Sequence, residues 1–328
     1  MAAIQFNRDY SPEYYEVEKL SPLVRRMVAK NPNQFTFTGT GVYIVGTGEV
    51  AVIDPGPSLS ENIDAIIGGL DPGEKITHIL VTHTHTDHTA GVAPLVERTG
   101  AATYGFGPHG PVPEEDPLDK VTFDEYFTDE ERAEIEKEWA DVPDELKREG
   151  ADQDFVPDVE VRDCDIISGS NWTIEAVHTP GHTSNHLCYA LAQEEVLFTG
   201  DHVMGWSTSV ISPPDGDLYD YMESLRKLVD RKDVRYLPTH GPHIDNPQTY
   251  VQSFIEHRLA RERQILSALK GKTVSIKSIV PDIYAAVDKR LWRAAANSVY
   301  SHLLALHREN RVEADPEPSL TANWTLSV

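Results

Sequence analysis

Six consecutive residues constrain this chain more than any others: His83-Thr84-His85-Thr86-Asp87-His88. They follow directly on an apolar stretch, 76–81, that reads as a short strand. Imidazole nitrogen and carboxylate oxygen are the ligands of zinc and of other borderline divalent metals. In a turn leaving a strand, the i and i+2 side chains can point at one ion and the next pair at its neighbour. The alternative is a His-rich surface loop. With only 14 histidines in 328 residues, three of them gathered around one Asp make a poor accident.

Three further candidate ligands each follow an expected strand. His182 lies in HTPGHTSNH after 172–177, Asp201 in LFTGDH after 195–199, and His240 in YLPTHGPH after 234–238. Loops at the ends of neighbouring strands converge on one edge of an α/β layer. Seven ligands from four loops suit two four- or five-coordinate ions with room for water.

The rest of the first 250 residues agrees with such a layer. Residues 35–54 alternate and turn at Gly39 to Gly41 and Gly46 to Gly48, which predicts two or three antiparallel strands ending at Asp54-Pro55-Gly56. A helix over 60–70 with a serine cap, a helix over 89–99, a strand near 101–104, a strand over 186–192 and a helix over 217–230 follow. Two β-rich halves flanked by helices result. Residues 113–165 interrupt the pattern with 22 acidic against 6 basic side chains. One or two polar helices are expected over 128–150. The segment reads as a solvated insertion, or as a lid over the active site that repels anions.

Beyond residue 250 the character changes. Helices over 250–270, 274–287 and 291–310 and a closing hairpin make a winged-helix pattern, so the expected domains are 1–250 and 251–328. The second has 11 basic against 8 acidic residues, the first 18 against 45. The whole chain carries a formal charge of −24, which repels nucleic-acid phosphates and anionic lipid at long range. Its two cysteines, Cys164 and Cys188, are expected as free thiols. The N-terminus shows no basic, then apolar, export pattern, and no run approaches the roughly 20 apolar residues of a membrane span. A cytoplasmic protein is expected.

The order HxHxDH, GH, GD and HG over about 35–245 resembles the metallo-β-lactamase superfamily. That resemblance implies an α/β (α+β) protein with an αββα sandwich. It implies that His83, His85 and His182 bind one metal, that Asp87, His88 and His240 bind a second, and that Asp201 bridges them. Thr239 stands where relatives often have glycine. Two divalent ions are implied, zinc first, with iron or manganese possible. A hydroxide bridging two cations is a nucleophile at neutral pH, and Asp87 can orient it. GHTSNH, TGDHVMGWSTSV and the tail, with His257, Arg258 and the 297–310 helix, are similar to a narrower group, the lactamase-beta-like protein 2 group, which has a C-terminal winged helix. Some of its members cleave single-stranded RNA.

Beside the ligands, His186 and His202 are candidate proton donors or ring-orienting partners, and Trp206 a candidate pocket wall. His178 is expected in its strand, and His109 and His243 on the surface. Arg258, Arg261, Arg263 and Lys270 share one long helix with Glu256 and Glu262, so the tail reads as a packing or homodimer element rather than a nucleic-acid surface. Three functions are weighed: a hydrolase of a small ester, lactone or thioester; a phosphodiesterase or endoribonuclease acting on single-stranded RNA; and a metal-sensing DNA-binding module. Specificity is expected in the loops 105–165 and 202–220.

Overall fold

The inner strands are apolar on both faces, and this fixes the layering. In Gly41–Val45, Tyr43 and Val45 face one buried cluster while Val42 and Ile44 face another. Such a strand needs cover on both sides. The computed structural model describes residues 4–110, 112, 117–140 and 150–327 and provides that cover. A seven-stranded sheet runs Glu18–Lys19, Val24–Val28, Gly41–Val45, Glu49–Ile53, Lys75–Leu80, Ala102–Gly105, Val159–Glu160. A six-stranded sheet runs Ile244–Asp245, Arg235–Pro238, Val196–Gly200, Leu187–Leu191, Thr173–His178, Ile166–Ser168.

The sheets pack face to face over Tyr43, Ile53, Leu80, Trp172, Tyr189 and Phe198. Buried hydroxyls are satisfied by backbone carbonyls: Tyr43 donates to Pro238 at 2.7 Å and Tyr189 to Val81 at 2.8 Å. Outside the first sheet, helices Ser60–Gly68 and Val92–Thr99 set Ile63, Ile66 and Leu95 against Val50 and Val52. Outside the second, Leu218–Val229 and Pro247–Ala268 cover Val177, Cys188 and Leu197. This is the αββα sandwich the motif order implied. Asp217 caps Leu218–Val229 by accepting from the Asp220 amide.

A three-stranded antiparallel sheet, Val274–Ser275, Asn323–Leu326 and Val312–Asp315, packs with helices Ile276–Ile283 and Trp292–Arg308. Helix Pro247–Ala268 serves both cores, with Val251 and Phe254 in one and Ile265 in the other, so the expected boundary at 250 falls within it.

Four local expectations change. Residues 35–38 form turns, because the Asn33 side chain accepts from the Phe35 and Thr36 amides at 2.7 and 3.0 Å. Ser60 begins its helix without capping it; Asn62 instead ties that turn down by donating to the Pro55 and Pro57 carbonyls. The helix expected over 89–99 divides into Thr86–Thr89 and Val92–Thr99. The insertion is not freely solvated where it is described: Val121 and Phe123 are buried in the C-terminal core, Glu125 pairs with Lys277 at 2.7 Å, and Lys289 donates to the Tyr126 carbonyl. Helix Asp129–Ala140 lies within the expected polar stretch. The remainder of that stretch, 141–149, and residues 113–116 lie outside the described residues, and with them that part of the expected lid.

Candidate metal centre

The four expected loops meet at one edge between the two sheets. Strand Lys75–Leu80 delivers His83 and His85, and the short helix Thr86–Thr89 turns Asp87 and His88 towards the same point. His182 follows Thr173–His178, Asp201 follows Val196–Gly200 and His240 follows Arg235–Pro238. Gly200 makes the turn into Asp201 possible: its φ is +50°, and a Cβ there would stand 2.6 Å from His186 Nε2.

Ligand atoms gather in three overlapping groups, His83/His85/His182, His83/His88/Asp201 and Asp87/His88/His240, each within 4.8 Å. His85 Nδ1 lies 2.9 Å from His83 Nε2 and 3.1 Å from His182 Nε2. Asp201 Oδ1 lies 3.4 Å from His240 Nε2 and 3.7 Å from His88 Nε2. Those three atoms are buried and make no hydrogen bond among the described residues. Inward-facing nitrogens and oxygens at such spacing, left without hydrogen-bond partners, fit divalent cations, since buried polar atoms are otherwise satisfied.

Outward-facing ring nitrogens are held by the fold. His88 Nδ1 donates to Asp54 Oδ2 at 2.8 Å, His182 Nδ1 to the Val210 carbonyl at 2.7 Å, and His240 Nδ1 to the Gly39 carbonyl at 3.2 Å. Each bond fixes Nδ1 as the donor and turns Nε2 towards the ligand cluster. Asp54 also accepts from the Thr82 amide and from the Thr82 and Thr239 hydroxyls, each at 2.8 Å. Sequence reasoning took Asp54 only as a turn residue. An aspartate closing an apolar strand was the available signal.

Burial opposes charge throughout, yet Asp87, Asp54 and Asp201 outweigh it and hold His88 well above the ordinary histidine range. Against the same burial, Asp201 and Asp87 lift His240 to about 10. Burial pushes the Asp201 carboxyl up, but His240 and His88 bring it well below its ordinary value. His83 is driven well down by burial and then by His88, His85 and His182. His83 is thus held neutral, while His88 and His240 are ion-paired with Asp87 and Asp201.

His186 bonds to the Thr179 hydroxyl through Nδ1 and accepts from the Asp201 amide through Nε2, so it orients Asp201. His202 is buried, with neither ring nitrogen partnered among the described residues, and burial followed by His182 lowers it to about 3. That favours the neutral ring at pH 7. Trp206 stacks on Phe37 at 4.8 Å and 9°, against Gly241. His178 belongs to its strand and His243 is exposed, as expected. His109 is not on the surface: its side chain is 5% exposed, with Nδ1 at 2.7 Å from the Thr84 hydroxyl. It is drawn in because Thr84, held by Asn185 Nδ2, presents that hydroxyl beside His85. The insertion's return forms one wall: the Asp152 amide donates to the Thr84 carbonyl and the Thr86 amide to the Gly150 carbonyl, each at 2.8 Å.

The metallo-beta-lactamase superfamily profile matches residues 36–240, and that of the beta-lactamase associated winged helix domain matches 275–324. The chain is 32% identical over 301 residues to a beta-lactamase-like protein 2 homolog of Caenorhabditis elegans, covering 90% of this chain and 88% of that one. It is 31% identical to an atrochrysone carboxyl ACP thioesterase of Cryptosporiopsis, over 79% of this chain and 66% of that enzyme. A beta-lactamase domain protein from Burkholderia ambifaria shares the fold with a TM-score of 0.72 at 20% identity, covering 97% and 96% of the two chains. This chain is a hydrolase of the metallo-beta-lactamase superfamily that carries the family's C-terminal winged helix.

Proposed function

We propose that the chain hydrolyses a small ester, lactone or thioester at a centre of two divalent ions, zinc first, held by His83, His85, Asp87, His88, His182, Asp201 and His240. The observation that carries this reading is the convergence of those ligand atoms in overlapping groups within 4.8 Å. When bound, the ions supply Lewis acidity to the oxygen under attack and acidify water towards neutrality. The chain's own residues do the rest. His83, His85 and His182 hold one position, Asp87, His88 and His240 the other, and Asp201 lies between them. Asp87 has a side chain 18% exposed, against 3% or less for His88, His182, Asp201 and His240, and so meets the solvent side, where its carboxylate orients the attacking water.

A thioester is favoured within this class, because a thioesterase stands among the relatives. A polyanionic RNA is disfavoured by the charge of −24. A DNA-sensing module is disfavoured because helix Trp292–Arg308 is turned inward: Asn297 and Ser301 are buried and bonded to residues 211–212. We read 1–250 as the catalytic unit and 251–328 as the winged-helix unit. Exposed Cys164 and buried Cys188 are free, which suits a reducing, cytoplasmic setting. Among the described residues, no helix is long and apolar enough to cross a membrane.

The test is a parallel assay of zinc-loaded protein on an acyl thioester, a lactone, bis(4-nitrophenyl) phosphate and single-stranded RNA. Turnover of thioester or lactone that disappears in His182→Ala and Asp201→Ala supports the reading. Turnover confined to RNA overturns it.

A further inference from the structure

The C-terminal domain reaches the candidate centre through the 209–212 segment. Arg258, on helix Pro247–Ala268, donates to the Ser209 carbonyl at 2.6 Å. Ser301 Oγ, on helix Trp292–Arg308, donates to the Ile211 carbonyl at 2.8 Å, and Asn297 Nδ2, one helical turn away, donates to Ser212 Oγ at 2.8 Å. The carbonyl between those of 209 and 211, Val210, takes the His182 Nδ1 proton at 2.7 Å. Ser209 Oγ bonds to the Asp201 and His202 carbonyls, and Tyr221 Oη donates to the His202 carbonyl at 2.9 Å.

All the holding groups are buried: Arg258 is 7% exposed, Asn297 8%, Ser301 2% and Ser209 3%. The Arg258 guanidinium also lies over the Tyr221 ring at 5.4 Å. Burying a guanidinium is costly, so its placement on a carbonyl one residue from the His182 anchor is a specific arrangement.

We propose that the winged-helix domain positions one half of the metal centre: Arg258, Asn297 and Ser301 fix the 209–212 segment, whose Val210 carbonyl holds the His182 ring with Nε2 turned to the ion. This rests on reading the seven side chains as metal ligands. Arg258 and Ser301 are positioning residues, touching neither ion nor substrate. The domain's third helix is thereby committed inward, as a buttress.

The test is a titration of the metal-free full-length chain with Co²⁺, followed by the visible ligand-field bands. Arg258→Met and Ser301→Ala are expected to weaken one of two binding steps about 10-fold, the lower end for loss of groups that orient a metal ligand. Arg258→Lys, which can still donate to the Ser209 carbonyl, restores it. Arg311→Met is the control. It breaks pairs with Glu262 and Glu309 in the same domain, and is expected to change thermal stability but not Co²⁺ binding. If Arg258→Met does not fold, Ser301→Ala carries the test. Wild-type isotherms and spectra in both Arg258→Met and Ser301→Ala would overturn the inference. A wild-type chain that takes up no Co²⁺ overturns the metal-centre reading and this inference with it.

Discussion

Replacing Asp54 by asparagine exchanges one buried oxygen for an NH₂ group and changes little else. The backbone there has φ +49°, a left-handed conformation that asparagine accepts as readily as aspartate. Asp54 Oδ1 receives the Thr82 amide, while Oδ2 receives the Thr82 and Thr239 hydroxyls and His88 Nδ1. In the variant, the amide oxygen keeps the Thr82 amide, and the NH₂ meets two hydroxyls that can rotate to accept. His88 has no such freedom. Either its Nδ1 proton faces another donor, or the proton moves to Nε2 and blocks the nitrogen turned towards Asp201 and Asp87. Losing one hydrogen bond to a charged group costs about 1.5–3 kcal/mol. At 1.4 kcal/mol per tenfold, that is roughly 10- to 100-fold in metal affinity. The assay is competitive zinc titration against a chelating dye, with circular dichroism to show that the fold persists. Asp54→Asn protein that holds both ions as tightly as wild type would refute the tautomer argument.

Further expectations concern the centre, the core and the thiols. Dialysis against EDTA should abolish hydrolysis and Zn²⁺ should restore it; activity that survives with less than a tenth of the metal would contradict a metal-dependent reaction. Trp172, 1% exposed between the sheets and donating to the Glu49 carbonyl at 2.8 Å, should cost about 3–5 kcal/mol when replaced by alanine, read as a lower urea midpoint. At pH 8, iodoacetamide should label exposed Cys164 in the native protein, while buried Cys188, its thiol pushed up to about 12, should react only after unfolding, as mass spectrometry can show.

Strand Val24–Val28 shows why part of the fold was hidden in the sequence. Its centre is Arg25-Arg26, which reads as surface, yet both are buried. Arg25 pairs with Glu74 at 2.7 Å, and Arg26 donates to the Gly241 carbonyl at 2.7 Å. Those partners lie about 50 and 215 positions away, beyond any local pattern. The docking of Val121 and Phe123 on the C-terminal core was hidden for the same reason.

Sequence alone determined the seven candidate ligands and the alternation of strands and helices, because both are carried by residue type and short spacing. Only the tertiary structure decided what orients the ligands. Asp54 beneath His88, Val210 behind His182 and Gly39 behind His240 are chosen by the packing of elements distant in the chain, two of them through backbone carbonyls, which every residue possesses and no sequence pattern marks.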